Sequence, residues 1–159
     1  IHGMGKDKYQ NVRIGMTGRL DSMQAVILDA KLDIFEDELT LRQTVADRYH
    51  TLLGDMVGTP QLASGATSSW AQYCIKLPNN SDRAAVISYL SDHGVPTAIY
   101  YPVPMHQQLP YKDFPQSQCG LSVTCDLSAR VLALPMHPYL KDTQQQHIAA
   151  QLRQSMTQM

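Results

Sequence analysis

The feature that most constrains the fold is a long apolar stripe near the start of the chain. Apolar residues recur at spacings of three and four between Asp21 and Leu53, which predicts one long helix or two nearly continuous helices. Asp21 can accept a hydrogen bond from the backbone of Gln24, the geometry of a capping box, so we place the helix start there. Gly54 is a plausible stop.

Shorter elements follow this helical region. Apolar and polar residues alternate over 70–77, which predicts a strand. Ser81 is the predicted N-cap of an amphipathic helix that ends at Gly94. Residues 95–101 then predict a second strand, and the prolines that follow it predict an irregular loop.

The last third of the chain completes the pattern. Residues 126–134 predict a short helix that runs into a short extended segment. Asp142 is the predicted cap of a final helix, with Gln145 at its third position. Helices and strands in this order predict the α+β class, with helices packed on a small sheet and a long helix near the N-terminus.

Composition excludes several function classes. The 159 residues carry 13 Lys+Arg against 14 Asp+Glu, a net charge of −1, so no global charge favours nucleic acid or an anionic membrane. No apolar run approaches the roughly 18–20 residues that a membrane span needs. Three cysteines without a CxxC pair, and six histidines without an HxxxH pair, predict neither disulfides nor a metal site. We expect a cytoplasmic protein.

The segment RIGMTGRLDSMQA, residues 13–25, raises a specific question about binding. Gly15 and Gly18 let the backbone approach a ligand closely, and Arg19 offers a fork that fits phosphate oxygens in pairs. The helix that follows presents unpaired N–H groups and partial positive charge. This pattern is typical of a phosphate or diphosphate site, but also of a plain turn that enters a helix.

Three ordered motifs resemble one enzyme family. They are HG at 2–3 with NVRIGMTGRLDSMQAVIL at 11–28, GVPTAIYYPVPMHQQ at 94–108, and SARVLALPMHPYL at 128–140. Together they resemble the sugar aminotransferases of the DegT/DnrJ/EryC1/StrS family, in the branch that acts on UDP-linked keto sugars for surface-polysaccharide synthesis. The resemblance runs in register from His2 to at least Leu140.

The resemblance implies a fold and a chemistry. Family members are fold-type I enzymes that use pyridoxal 5′-phosphate to transfer an amino group, usually from glutamate, and they form homodimers with shared active sites. Residues 20–159 then correspond to the small C-terminal domain, and residues 1–19 to a lead-in and a loop that crosses to the other subunit. The family's Schiff-base lysine precedes the HG motif, so we expect it upstream of His2. We therefore expect this chain to be inactive alone and without a catalytic residue of its own. Because the first residue is Ile1, we also expect a chain cut from a larger protein.

The resemblance also implies site residues. Thr17 stands where an asparagine usually contacts the cofactor phosphate, and Arg19 matches an arginine that contacts the substrate diphosphate. Tyr101 matches a tyrosine near the substrate, and Tyr100 replaces a histidine that is common in close relatives. His106 either lines the substrate pocket or lies on the surface.

An alternative, non-enzymatic role is also open. The chain could be an inactive remnant or binding module that pairs with a complete homologue and donates Arg19 to it. The departures at Thr17 and Tyr100 motivate this alternative. A thiol nucleophile is not expected, because neither Cys119 nor Cys125 has a histidine at a recognisable spacing.

Overall fold

The computed structural model describes residues 18–108, 111 and 113–157. These residues form an antiparallel two-stranded sheet with five α-helices, which confirms the predicted α+β class. In chain order the elements are α1 (Ser22–Leu32), α2 (Phe35–Leu53), β1 (Tyr73–Lys76), α3 (Arg83–Asp92), a 3-10 turn (Met105–Gln107), α4 (Ser122–Arg130), β2 (Val131–Leu134) and α5 (Asp142–Thr157).

The chain divides into two compact units, residues 1–37 and 38–159. In the first unit, the Asp21 side chain accepts a hydrogen bond from the Gln24 backbone at 2.9 Å, so the predicted cap of α1 is confirmed. No residue of α1 is buried, and Met23 is 77% exposed. The apolar stripe of this helix therefore lies at the surface of the described residues.

The second unit is organised around its sheet. β1 and β2 pair antiparallel, with Tyr73 opposite Leu134 and Ile75 opposite Leu132. These four side chains are all buried, as the alternation over 70–77 predicts. The sheet thus presents one continuous apolar face to the helices.

Helices of the second unit cover that face with fully buried side chains. α2 contributes Tyr49 and Leu53, α3 contributes Leu90, and α5 contributes Leu152. α3 also packs against α5. Each fully buried Leu side chain contributes about 1.5–3 kcal/mol through burial alone, so this cluster is the main source of stability.

Two predicted helix caps are wrong by one residue. The N-cap of α3 is Asp82, not Ser81, because the Asp82 carboxylate accepts hydrogen bonds from the backbone of Ala84 and Ala85. At α5, the Gln144 side chain accepts a hydrogen bond from the Lys141 backbone at 3.0 Å, the contact we expected one residue later. Gln145 is instead fully buried and donates to the Val45 carbonyl at 2.9 Å.

The second predicted strand is also wrong. Residues 95–101 form only one bridge, in which Ala98 and Ala133 exchange backbone hydrogen bonds of 3.2 and 2.7 Å. Pro96 has no backbone N–H to donate, and Pro102 follows directly, so a continuous ladder cannot form there. The chain beyond Ala98 is consequently free to leave the sheet and to display its next side chains.

Candidate substrate-binding site

Two adjacent tyrosines stand at the point where the chain leaves the sheet. Tyr100 is 41% exposed and Tyr101 is 69% exposed. Their ring centroids lie 5.7 Å apart in an edge-on arrangement. Both rings are therefore presented to the surface as one aromatic pair.

Tyr100 and Tyr101 border a cavity of about 520 Å³. It lies between the segment that follows Tyr101 and the inner face of α4. The other lining residues are Val103, Pro104, Met105, Gln108, Thr124, Leu127, Ser128 and Val131. Most of this lining is apolar, with a few hydroxyl groups, which is the usual composition of a small-molecule site.

Two arginines fix the α4 wall of the cavity. The Arg83 guanidinium donates to the carbonyl oxygens of Ser128 and Val131, at 2.6 and 3.2 Å. Arg130 donates to the Leu77 carbonyl at 3.1 Å, beyond the end of β1. The last carbonyls of a helix lack partners within the helix, and Arg83 satisfies that of Ser128 and so ties α4 to α3. Arg130 ties the end of α4 to the residue that follows β1.

Charge is absent from the lining of the cavity. The carboxylate of Asp126 is engaged by Arg130, four residues on along α4. The hydrogen bond from Arg130 lowers the pKa of Asp126, and the positive charge of Arg130 lowers it further. Among the described lining residues none is charged, so the cavity suits a neutral group that offers hydroxyls and an apolar face.

Tyr100 and His106 also belong to two neighbouring cavities. Tyr100 borders a second cavity of about 280 Å³ beside β2, with Ala98 and Met136 in its lining. His106 is half-buried and lines a third cavity of about 310 Å³, with Met105 and Phe114. The structure therefore brings Tyr100 and Tyr101 together and places His106 in the cavity next to theirs.

The two residues predicted to bind phosphate fall in the first unit. Thr17 lies outside the described residues. Arg19 is exposed, two residues before the cap of α1, and the ion pairs found in the described part of the chain do not include it.

One close contact was missed by sequence reasoning. The Sγ atom of Cys125 lies 3.6 Å from Nε2 of His106, although no partner histidine was expected for this thiol. Nineteen residues separate the two, and the turn at Met105–Gln107 brings them together. No spacing rule links a loop histidine to a cysteine on a later helix, so no sequence signal could have found the pair.

The lysine chemistry of a pyridoxal phosphate enzyme is not supplied by this site. The described lysines are Lys31, Lys76 and Lys141, and none of them lines any of the cavities. No carboxylate that could pair with a pyridinium nitrogen lines the large cavity. The described residues by themselves therefore do not fit the cofactor.

Two kinds of feature are absent from the described residues. No group of three or more metal-ligating side chains lies close enough together there to hold a metal ion. None of the helices in the described ranges is both long and apolar enough to cross a membrane.

Comparison with known proteins shows the family. The model of the DegT/DnrJ/EryC1/StrS aminotransferase family matches residues 1–153, so the chain belongs to this family. The chain is 40% identical over 140 residues to the UDP-2-acetamido-2-deoxy-3-oxo-D-glucuronate aminotransferase of Pseudomonas aeruginosa. That match covers 87% of this chain and 37% of the relative.

Solved structures share the fold. A DegT DnrJ EryC1 StrS aminotransferase from Brucella abortus superposes with a TM-score of 0.82 at 43% identity, covering 96% of this chain and 40% of that one. The Bacillus subtilis protein NtdA, solved with bound cofactor PMP, superposes with a TM-score of 0.75 at 26% identity, covering 96% and 36%. The chain thus spans about 40% of the length of the proteins it matches.

Proposed function

We propose that this chain is the C-terminal part of a pyridoxal phosphate-dependent nucleotide-sugar aminotransferase. The whole protein would transfer an amino group, from glutamate, to a UDP-linked keto sugar used for surface polysaccharide. It would act as a cytoplasmic homodimer with shared active sites. Family membership supports the reaction class, and the name of the Pseudomonas relative supports a UDP-linked substrate.

The uncharged cavity beside Tyr100 and Tyr101 carries this proposal. A sugar ring offers an apolar face to an aromatic side chain and hydroxyls to its edge. The phenol groups can both donate and accept hydrogen bonds, and the Thr124 hydroxyl adds another such group. The Ser128 hydroxyl is already used, since it donates to the Cys125 carbonyl at 2.9 Å.

We assign the charge that the cavity lacks to Arg19 of the other subunit. A diphosphate carries its negative charge on several oxygens, and nothing in the lining of the cavity balances it. A guanidinium matches phosphate oxygens in pairs, and among the described residues no other side chain or backbone atom crowds the Cα of the neighbouring Gly18. We therefore assign Arg19 to the diphosphate, in the active site of the other subunit.

Pyridoxal phosphate would be held mainly outside the described residues. Thr17 is the one residue of this chain that we assign to it, through a hydrogen bond from its hydroxyl to the cofactor phosphate. When bound, the cofactor serves as the electron sink of amino transfer, and the protein orients it. The residues of this chain bind and orient the sugar nucleotide.

A chimera tests the proposal. Residues 1–153 replace the matching C-terminal segment of the Pseudomonas aeruginosa aminotransferase, and glutamate-dependent amination of that relative's keto sugar is followed by release of 2-oxoglutarate. We expect the chimera to turn over and the chain alone to be inactive. The unmodified relative and the relative without its C-terminal segment are the matched controls.

The same experiment distinguishes the non-enzymatic alternative. A chimera that folds as a dimer and binds pyridoxal phosphate, yet aminates no sugar, would contradict the enzymatic proposal. That result would favour an inactive remnant that pairs with a complete homologue.

A further inference from the structure

Cys125 and His106 form a thiol–imidazole pair that the proposed function does not use. Cys125 lies in the second turn of α4 and His106 in the 3-10 turn, and both are half-buried. Their Sγ and Nε2 atoms are 3.6 Å apart. The side-chain amide of Gln107 also donates to this sulfur, at 3.4 Å. The sulfur is thus contacted by a base and by a neutral hydrogen-bond donor, both of which belong to the 3-10 turn.

The other two cysteines lie in different surroundings, which gives an internal comparison. Cys119 is exposed, and its backbone N–H donates to the Ser117 hydroxyl. Cys74 lies in β1 and is half-buried; burial raises the pKa of its thiol. Of the three thiols, that of Cys125 is the one with an imidazole in hydrogen-bonding range among the described residues.

The pair has the geometry of an activated nucleophile. A thiolate, not a thiol, attacks electrophiles, and a neighbouring imidazole promotes its formation by taking the proton. The donor from Gln107 stabilises negative charge on sulfur. The carboxylate of Asp126, the next residue along α4, is held by Arg130, so its charge is balanced by that pairing.

We propose that Cys125 is a modification site for small soft electrophiles, with His106 as its proton acceptor. With iodoacetamide, the sulfur forms a bond to the methylene carbon while the carbon–iodine bond breaks. Iodide leaves with the bonding electron pair, and the thiol proton moves to Nε2 of His106 and then to water. The reaction requires neither an oxidant nor the aminotransferase cofactor.

Competitive alkylation tests the proposal, because exposure and activation predict opposite orders. The 159-residue chain is treated with limiting iodoacetamide at pH 7, and each cysteine peptide is quantified by mass spectrometry. If exposure alone decided the rate, Cys119 would react before Cys125. We expect Cys125 to react about ten-fold faster than Cys119, because the neighbouring imidazole can take the thiol proton, and Cys74 to be slowest, because burial raises the pKa of its thiol.

Variants of two histidines identify the cause. His106→Gln should bring Cys125 below Cys119, while His137→Gln, a matched change of an exposed histidine, should leave the order unchanged. In guanidinium chloride the three cysteines should react alike. A native order with Cys119 first, or no effect of His106→Gln, would overturn the proposal; neither result bears on amino transfer.

Discussion

Tyr49 and Tyr73 face each other in the core, with ring centroids 4.9 Å apart. Both side chains are buried, but only the Tyr49 hydroxyl has a partner among the described residues, the Pro135 carbonyl at 2.9 Å. Burial and, to a smaller extent, the negative charge of Asp47 together raise the pKa of Tyr73 to about 12. Burial also raises the pKa of Tyr49, and Tyr73 adds to that effect.

Alkaline pH should therefore destabilise the fold. Below about pH 10 both tyrosines are neutral in the folded and the unfolded chain, so the full stability is present. Between pH 10 and 12 the unfolded chain loses these protons while the folded chain keeps them, which favours unfolding. Urea titrations at pH 9, 10 and 11 should show the free energy of unfolding falling over this range.

Tyr73→Phe should weaken that pH dependence. The change removes a buried hydroxyl without a partner in the described residues, so it should cost little stability at pH 7. Some alkaline loss should remain because Tyr49 still titrates. Tyr139→Phe, at an exposed tyrosine, is the control. An unchanged alkaline slope in Tyr73→Phe would show that Tyr73 is not the group responsible.

The N-cap of α3 predicts different stability losses for substitutions at Asp82 and at the neighbouring Ser81. Asp82→Ala removes the acceptor of two backbone hydrogen bonds and should lower the free energy of unfolding by about 0.5–2 kcal/mol. Ser81→Ala should change it by less than about 0.5 kcal/mol, as is typical of substitutions away from a cap. Thermal or urea unfolding measures both, and equal losses would refute the assignment of the cap.

This cap also shows where prediction from sequence stops. Ser81 and Asp82 both have side chains that suit an N-cap. Which of them caps α3 depends on where the chain turns after β1, and tertiary packing sets that position. The buried alternation of Tyr73 and Ile75 was predictable because one face of a strand meets the core. The single bridge at Ala98 was not predictable, because apolar composition does not reveal how many backbone hydrogen bonds a segment forms with a neighbouring strand.

The candidate site, too, was only partly predictable from the sequence. Tyr100, Tyr101 and His106 were found through motifs that resemble a family, and the structure then separates them into adjoining cavities. The contact between Cys125 and His106 joins a turn to a later helix. Such a contact depends on the path of the intervening chain, which a local sequence pattern does not predict.

Arg83, which holds α4, should contribute more to the free energy of unfolding than the exposed Arg153. Arg83→Met leaves the carbonyls of Ser128 and Val131 without their charged donor, which should cost about 1.5–3 kcal/mol of unfolding free energy. Arg153→Met removes an exposed ion pair with Asp55 and should cost less than about 1 kcal/mol. Paired urea titrations compare them, and a larger loss for Arg153→Met would contradict the assigned role of Arg83.

Tyr101 should contribute to sugar binding without affecting the fold. In an active chimera, Tyr101→Phe should raise KM for the keto sugar about two- to twelve-fold, the effect of one neutral hydrogen bond. Tyr101→Ala should raise it further, because the ring is lost as well. Steady-state kinetics with varied sugar measures this, and Tyr139→Ala is the control at an exposed tyrosine outside the cavity. An unchanged KM in Tyr101→Ala would remove this residue from the site.

The binding of the sugar-nucleotide diphosphate by Arg19 is the central claim, and the two half-reactions of the active chimera test it most directly. Arg19→Ala should lower kcat/KM for the UDP-linked sugar by about 10- to 150-fold, the loss of a charged hydrogen bond of about 1.5–3 kcal/mol, and leave the glutamate half-reaction unchanged. Arg19→Lys should recover only part of the lost kcat/KM. Arg48→Ala, on the surface of α2, is the control and should change neither half-reaction. Equal kcat/KM for the sugar in Arg19→Ala and the parent chimera would contradict the account.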